Sequence, residues 1–167
     1  MSVPPSRPGR WAALTVAAGA AVTSLLLANP ALAAPLSGLA RPSAGSEVLR
    51  LTNHERAKRG CPAVRHEQRL SNSAYRHSRD MAQNNFFSHT GSDGSDFADR
   101  AARSGYDQAM SENIAKGYRT PAEVMSGWMG STPHRDAILD CAAKAAGVGV
   151  ARAKDGVLLW TQAFGRV

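Results

Sequence analysis

Two extended runs joined by a short turn close the chain, and this feature limits the possible folds more than any other. Residues 147–151 and 157–161 flank the turn Lys154-Asp155-Gly156. Runs of this length around a short glycine-containing turn are typical of a β-hairpin. The stretches before them carry helical signals, so helices come first and a hairpin comes last. That order predicts an α+β fold.

Capping residues predict where the helices lie. Ser46 is the predicted N-cap of a first helix that ends at Gly60. A second helix is predicted over residues 71–85, because apolar residues recur there at helical spacing. His77 shares their face and is therefore predicted to be a packed core histidine. Asp96 is predicted to cap a short third helix.

The first 33 residues have the pattern of a secretory signal peptide. Arg7 and Arg10 precede a run rich in alanine, leucine and valine, and small residues follow it at 31–33. We therefore predict a signal peptide over 1–33, a flexible leader over 34–45 and one folded domain over 46–167. Cleavage would leave no permanent membrane span. The alternative is a membrane-tethered envelope protein with an uncleaved N-terminal helix, since the apolar run is nearly long enough to cross a bilayer.

The charge of the chain favours acidic partners. It has 20 basic and 13 acidic residues, a formal net charge of +7. Loss of Arg7 and Arg10 with the signal peptide would leave 18 basic residues against 13 acidic ones, an excess of +5. Such an excess suits anionic lipid or envelope polymers through long-range attraction. The basic residues are scattered along the sequence, so nucleic acid is not a predicted partner.

Cys61 and Cys141 are the two cysteines of the chain. Export would place them in an oxidising compartment, where a pair of cysteines is expected to form a disulfide. Two free thiols or a two-cysteine metal site are the alternatives, and the absence of a CxxC spacing argues against the metal site.

Three short polar motifs supply the candidate site residues. His89 follows Phe-Phe-Ser on a predicted loop, Glu112 lies in Ser-Glu-Asn on a predicted strand over 112–115, and His134 follows Ser-Thr-Pro at a predicted helix start. The positive end of that helix should keep the ring of His134 neutral. Two neutral imidazoles backed by a carboxylate could hold a zinc ion that activates water, or could act without metal as a general acid and base.

The order of these segments resembles the CAP superfamily of cysteine-rich secretory proteins, antigen 5 and pathogenesis-related 1 proteins. The segments that carry the resemblance are, in chain order, HSRDM, SHTGSDG, SENIAKG, GWMGSTPHRDAIL and GVGVARAKDGVLLWTQAFG. The resemblance runs from about residue 47 to residue 164 and points to bacterial secreted SCP-like domains. It implies a three-layer α-β-α sandwich around a small, mainly antiparallel sheet. It also implies cysteines in these two segments and a shared cleft for His89, Glu112 and His134.

Several family members bind a divalent metal such as zinc in that cleft, through two histidines and two acids. His89 and His134 match the two histidines and are the predicted metal ligands, with Glu112 matching the first acid and lying behind them. The second acid is missing, because Met129, Gly130 and Ser131 stand where it would be.

The resemblance favours a secreted, non-catalytic binding module for a lipid, an envelope component or a partner protein, without a firm catalytic residue. A hydrolase of peptides or cell-wall material using His89, Glu112 and His134 is the rival hypothesis. A third interpretation is purely structural: His89 and Glu112 would fasten the loop, and His134 would help to cap its helix.

Overall fold

The computed structural model describes residues 43–167, and the predicted signal peptide and residues 34–42 of the leader lie outside that range. Within it, no helix is long and apolar enough to cross a membrane. The elements in chain order are α1 (Ala44–Arg59), β1 (Arg65–His66), α2 (Gln68–Asn84), α3 (Phe97–Ala102), β2 (Ala109–Lys116), α4 (Pro121–Gly130), α5 (Thr132–Leu139), β3 (Ala145–Arg152) and β4 (Leu158–Gly165).

The four strands form one sheet in the order β1-β3-β4-β2. β4 pairs antiparallel with both β3 and β2, whereas the two residues of β1 pair parallel with β3. The predicted hairpin is confirmed as β3 and β4, although each strand is longer than the run that predicted it. The predicted strand around Glu112 is likewise confirmed and extends over all of β2. The structure is therefore α+β with a mainly antiparallel sheet.

Helices cover both faces of this sheet. On one face, α2 lies directly against β3: a Cβ atom on Gly147 or Gly149 would stand 2.1 Å from the backbone nitrogen of Ser71 or Tyr75. Glycine is needed at both positions because the helix backbone occupies the space of a side chain. α3 packs on this same face beside Leu70. On the other face α1, α4 and α5 enclose the main core, whose buried residues include Val48, Val124, Trp128, Ile138, Ala146, Trp160 and Phe164.

The first helix begins earlier than predicted. Its N-cap is Ser43, whose hydroxyl accepts a hydrogen bond from the backbone nitrogen of Ser46 at 3.1 Å. Ser46 is therefore the third residue of the helix, and residues 43–45, predicted as leader, belong to the cap and the first turn. α2 also begins early, at Gln68, because the carboxylate of Glu67 caps it through the backbone nitrogen of Arg69. Serine and carboxylate side chains both serve as caps, and the sequence offers several in each stretch.

A disulfide and a buried arginine tie the end of α1 to the segment after α5. Cys61 and Cys141 are bonded, with their Cα atoms 4.9 Å apart, as predicted. Arg56 is fully buried and donates to the backbone carbonyls of Pro62, Ile138, Asp140 and Ala143 at 2.8–3.0 Å. Four carbonyl oxygens replace the water that its guanidinium would lose on burial.

Candidate functional site

Glu112 lies on β2, at the edge of the sheet, and faces the layer of α2 and α3. It stands opposite Ala163 of β4, which packs with Leu70 on that face. The next residue, Asn113, stands opposite Gln162 and faces the other helical layer, because successive strand residues point to opposite faces. The edge of β2 therefore presents polar groups to both layers.

Arg100 of α3 holds the carboxylate of Glu112. One guanidinium nitrogen, Nη2, lies 3.0 Å from Oε1 and 2.8 Å from Oε2, while Nη1 donates to the carbonyl of Ser95 at 2.7 Å. The side chains of Arg100 and Glu112 are only 9% and 3% exposed. The pair is thus a buried, charge-assisted contact that also fastens the loop before α3.

His89 covers the same carboxylate on the side that faces solvent. Its Nδ1 lies 3.0 Å from Oε1 of Glu112, and its side chain is 54% exposed. Since an ionised carboxylate only accepts hydrogen bonds, the proton of a neutral ring belongs on Nδ1. The lone pair of Nε2 is then the free binding position of the ring.

His77 of α2 lies beneath this contact. Its side chain is fully buried, and Nε2 lies 2.9 Å from the carbonyl oxygen of Ser88 and 3.9 Å from Oε1 of Glu112. Burial lowers the pKa of His77, against the opposing effect of the Glu112 charge. Its Nδ1 is buried without a hydrogen-bond partner. The predicted core histidine is therefore confirmed, although only one of its nitrogens is satisfied.

His134 approaches the edge of the sheet from the opposite layer, in the first turn of α5 as predicted. Its backbone carbonyl accepts a hydrogen bond from Nδ2 of Asn113 at 3.2 Å, and the same amide group contacts Gln162. Burial lowers the pKa of His134, and the charge of His89 lowers it further. A lowered pKa agrees with the neutral ring expected from the sequence. The main cause of the lowered pKa is burial, whereas the sequence had suggested the helix terminus.

The structure thus joins His89 directly to Glu112 and brings His134 within electrostatic reach of His89. Among residues 43–167, no group of three or more His, Cys, Asp or Glu side chains is arranged to hold a metal ion. Both oxygens of Glu112 are engaged, which leaves His89 Nε2 and the ring of His134 as donors. Two imidazoles are too few for a closed four-ligand zinc site.

Arg100 is the site residue that sequence reasoning missed. It lies at the fourth position of α3 after the N-cap Asp96, on the turn that faces inward. A charged residue at an inward position is a weak signal of a buried ion pair, because arginine more often extends to solvent. Its partner Glu112 lies 12 residues away, on a different element.

Comparisons with known proteins agree with this architecture. The model of the cysteine-rich secretory protein family, CAP, matches residues 49–164. The uncharacterized protein YkwD of Bacillus subtilis (strain 168) is 38% identical over 119 residues, which are 71% of this chain and 45% of that protein.

Solved structures match as well. An extracellular protein containing a SCP domain from Bacillus anthracis (strain Ames) is 30% identical with a TM-score of 0.67, and the match covers 74% of this chain and 40% of that one. An outer surface protein of Borrelia burgdorferi is 17% identical with a TM-score of 0.66, covering 72% of this chain and 90% of that one, which shows a shared fold.

The chain spans less than half the length of the two Bacillus proteins, 45% and 40%. The family match, in contrast, covers both helical layers, the sheet and the three candidate site residues. The chain belongs to the CAP family of cysteine-rich secretory proteins.

Proposed function

We propose that this chain is a secreted CAP domain that binds an anionic component of the cell envelope, with His89, Glu112 and His134 forming its binding cleft. The observation that carries the proposal is that the carboxylate of Glu112 is buried and fully engaged in hydrogen bonds. Its carboxylate accepts hydrogen bonds from Arg100 and His89 and is only 3% exposed. Glu112 therefore serves to hold His89 in place, and the two imidazole rings meet the ligand.

This arrangement argues against Glu112 as a general base. A general base must come within hydrogen-bond distance of the proton that it removes. Both oxygens of Glu112 already accept from Arg100, and the exposed ring of His89 covers one of them. A substrate would have to displace His89 to reach the carboxylate.

The rings themselves are suited to binding. His89 presents Nε2, because Nδ1 is engaged by Glu112. His134 favours its neutral form, because burial and the charge of His89 lower its pKa. Where a divalent metal is bound by these nitrogens, it would supply a positive centre for an anionic group of the ligand. The rings alone can supply hydrogen bonds to the same group.

Secretion has independent support. A disulfide joins Cys61 and Cys141, and structural disulfides persist in oxidising compartments. One relative is described as extracellular and another as an outer surface protein. The formal charge of +7, which would become +5 on cleavage of the predicted signal peptide, suits an anionic surface. N-terminal sequencing of exported protein tests this part: a chain that begins near residue 34 supports cleavage, and an intact N-terminus favours the tethered alternative.

Zinc titration by calorimetry tests the cleft. His89→Gln and His134→Gln should each weaken zinc binding at least about ten-fold, because even the loss of a group that only orients a metal ligand costs about 10–100-fold. His54→Gln is the matched control, because His54 is exposed and lies on α1 outside the cleft. If His89→Gln, His134→Gln and His54→Gln all bind zinc with the same affinity, the two-histidine site is contradicted. Binding to envelope material is then measured by co-sedimentation with purified anionic cell-wall polymer, and a lack of co-sedimentation would contradict the proposed ligand.

A hydrolase is the second candidate, favoured by the lowered pKa of His134, which leaves a neutral ring able to accept a proton. Purified protein with and without zinc is assayed against peptide and peptidoglycan substrates. Turnover that His134→Ala and Glu112→Ala both abolish would establish the hydrolase and overturn the non-catalytic proposal.

A further inference from the structure

A cavity lined by charged and polar residues lies beside Glu112. The cavity has a volume of about 320 Å³, and its wall includes His77 and Arg100, which both face Glu112. The rest of the wall comes from α2, from the loop that leads into α3 and from Arg103, which directly follows α3. Arg76 and Arg103 are its further cationic residues. His89 and His134 are not part of this wall.

The acidic residues of the wall are already satisfied. Asp80 accepts from the backbone nitrogen and hydroxyl of Ser92, at 2.9 and 2.6 Å, and from Asn84 at 2.6 Å. Asp93 accepts from Ser95 and from Arg103. These carboxylates therefore have little remaining capacity to bind a cation, and they serve to shape the loop.

The donors of the wall, in contrast, are not used up. Within the described part of the chain, Arg76 makes one side-chain hydrogen bond, from Nη2 to the hydroxyl of Ser104, and Arg103 engages only Nε and Nη1. The side chain of Arg100 is only 9% exposed, and its Nε atom is buried without a hydrogen-bond partner. A buried N–H without an acceptor is costly, and native proteins rarely leave one unexplained.

We infer that this cavity is a second binding site, for a small anion that carries a carboxylate or phosphate group. Guanidinium groups bind such oxyanions through paired, charge-assisted hydrogen bonds, and three guanidinium groups surround this cavity. The volume admits a molecule of about the size of a monosaccharide acid. A free phosphate ion and an acidic sugar offer the same chemistry and differ in size.

Calorimetric titration of the full chain with inorganic phosphate and, separately, with glucuronate tests the inference, at constant ionic strength set with chloride. Arg76→Gln should weaken binding of the preferred anion about ten-fold, as expected for a lost hydrogen bond between charged groups. Arg76→Lys keeps the charge but not the fork and should fall between Arg76→Gln and the wild type. Tighter binding of glucuronate than of phosphate identifies the acidic sugar as the ligand class, and the reverse order identifies free phosphate.

Arg79→Gln is the matched control, because Arg79 is also exposed on α2, about one turn further along, and lies outside the cavity wall. Equal weakening in Arg79→Gln and Arg76→Gln would reveal general charge attraction and overturn the site. No binding of either anion at millimolar concentration would also overturn it. Arg76→Gln should leave zinc affinity unchanged, so a failure of this inference is distinguishable from a failure of the two-histidine cleft.

Discussion

Replacement of Arg100 by methionine is the sharpest test of how the site is built. The change removes both hydrogen bonds to Glu112, at 3.0 and 2.8 Å, and the bond that holds the carbonyl of Ser95 at 2.7 Å. The carboxylate of Glu112 would keep only His89 as a partner while remaining nearly inaccessible to water. The substitution therefore leaves a buried charge without its counter-ion, which strongly destabilises a fold.

The expected loss is large compared with total stability. Breaking a buried ion pair by removing one partner costs about 3–5 kcal/mol, against a total of roughly 5–15 kcal/mol for a domain. Arg103 provides the matched control, because its ion pair with Asp93 has side chains 54% and 53% exposed. Removal of an exposed pair costs about 0–1 kcal/mol. Arg100→Met should therefore cost several times as much as Arg103→Met.

Urea unfolding followed by the fluorescence of the buried Trp128 and Trp160 gives both free energies. The double variant Arg100→Met/Glu112→Met should recover much of the loss, because an apolar pair leaves no charge uncompensated. A cost below about 1 kcal/mol for Arg100→Met, or no recovery in the double variant, would refute the reasoning.

Three further predictions concern pH and the disulfide. Because burial lowers the pKa of His77, the unfolded chain takes up a proton at higher pH than the folded chain does. The contribution of His77 to stability should therefore be complete above the ordinary histidine pKa of 6.5 and should decrease as the pH falls below it. Urea unfolding at a series of pH values tests this, and His77→Gln should flatten the dependence. In NMR titrations the pKa of His134 should lie below 6.5 and should rise in His89→Gln without reaching it, since burial remains; an unchanged value would contradict the coupling. Replacing Cys61 and Cys141 by serine opens a loop with a sequence separation of 80 and should cost up to about 4 kcal/mol of unfolding free energy, measured by urea unfolding.

The sequence predicts the fold well where local signals and global packing agree. The turn at Lys154-Asp155-Gly156 and the extended runs around it yield the β3–β4 hairpin, and Asp96 caps α3 as expected. The structure adds that Asp99 completes a capping box there. The predicted starts of α1 and α2 were each wrong by three residues. Ser43 and Ser46 are both good capping residues, and only the packing of the helix decides between them.

The candidate site was less accessible from sequence. Family resemblance placed His89 and Glu112 in one cleft, and in the structure their nearest side-chain atoms lie 3.0 Å apart. Nothing local to Arg100 indicates that it meets Glu112, because that contact depends on how α3 packs on the sheet. Arg100 also lines the second cavity, and this placement is likewise a consequence of tertiary packing.

The cleft finally depends on the register of one edge strand. β2 pairs with β4 such that Ala109 opposes Gly165 whereas Ser111 opposes Phe164, so the irregularity at Met110 adds one residue to β2. Beyond this bulge Glu112 opposes Ala163 and faces Arg100. If β2 instead paired in regular register from Ala109, Glu112 would oppose Gln162, and each later side chain of β2 would point to the opposite face. Glu112 would then point toward the layer that holds His134 and would lose Arg100, so the bulge is what sets Glu112 on the same face as Arg100.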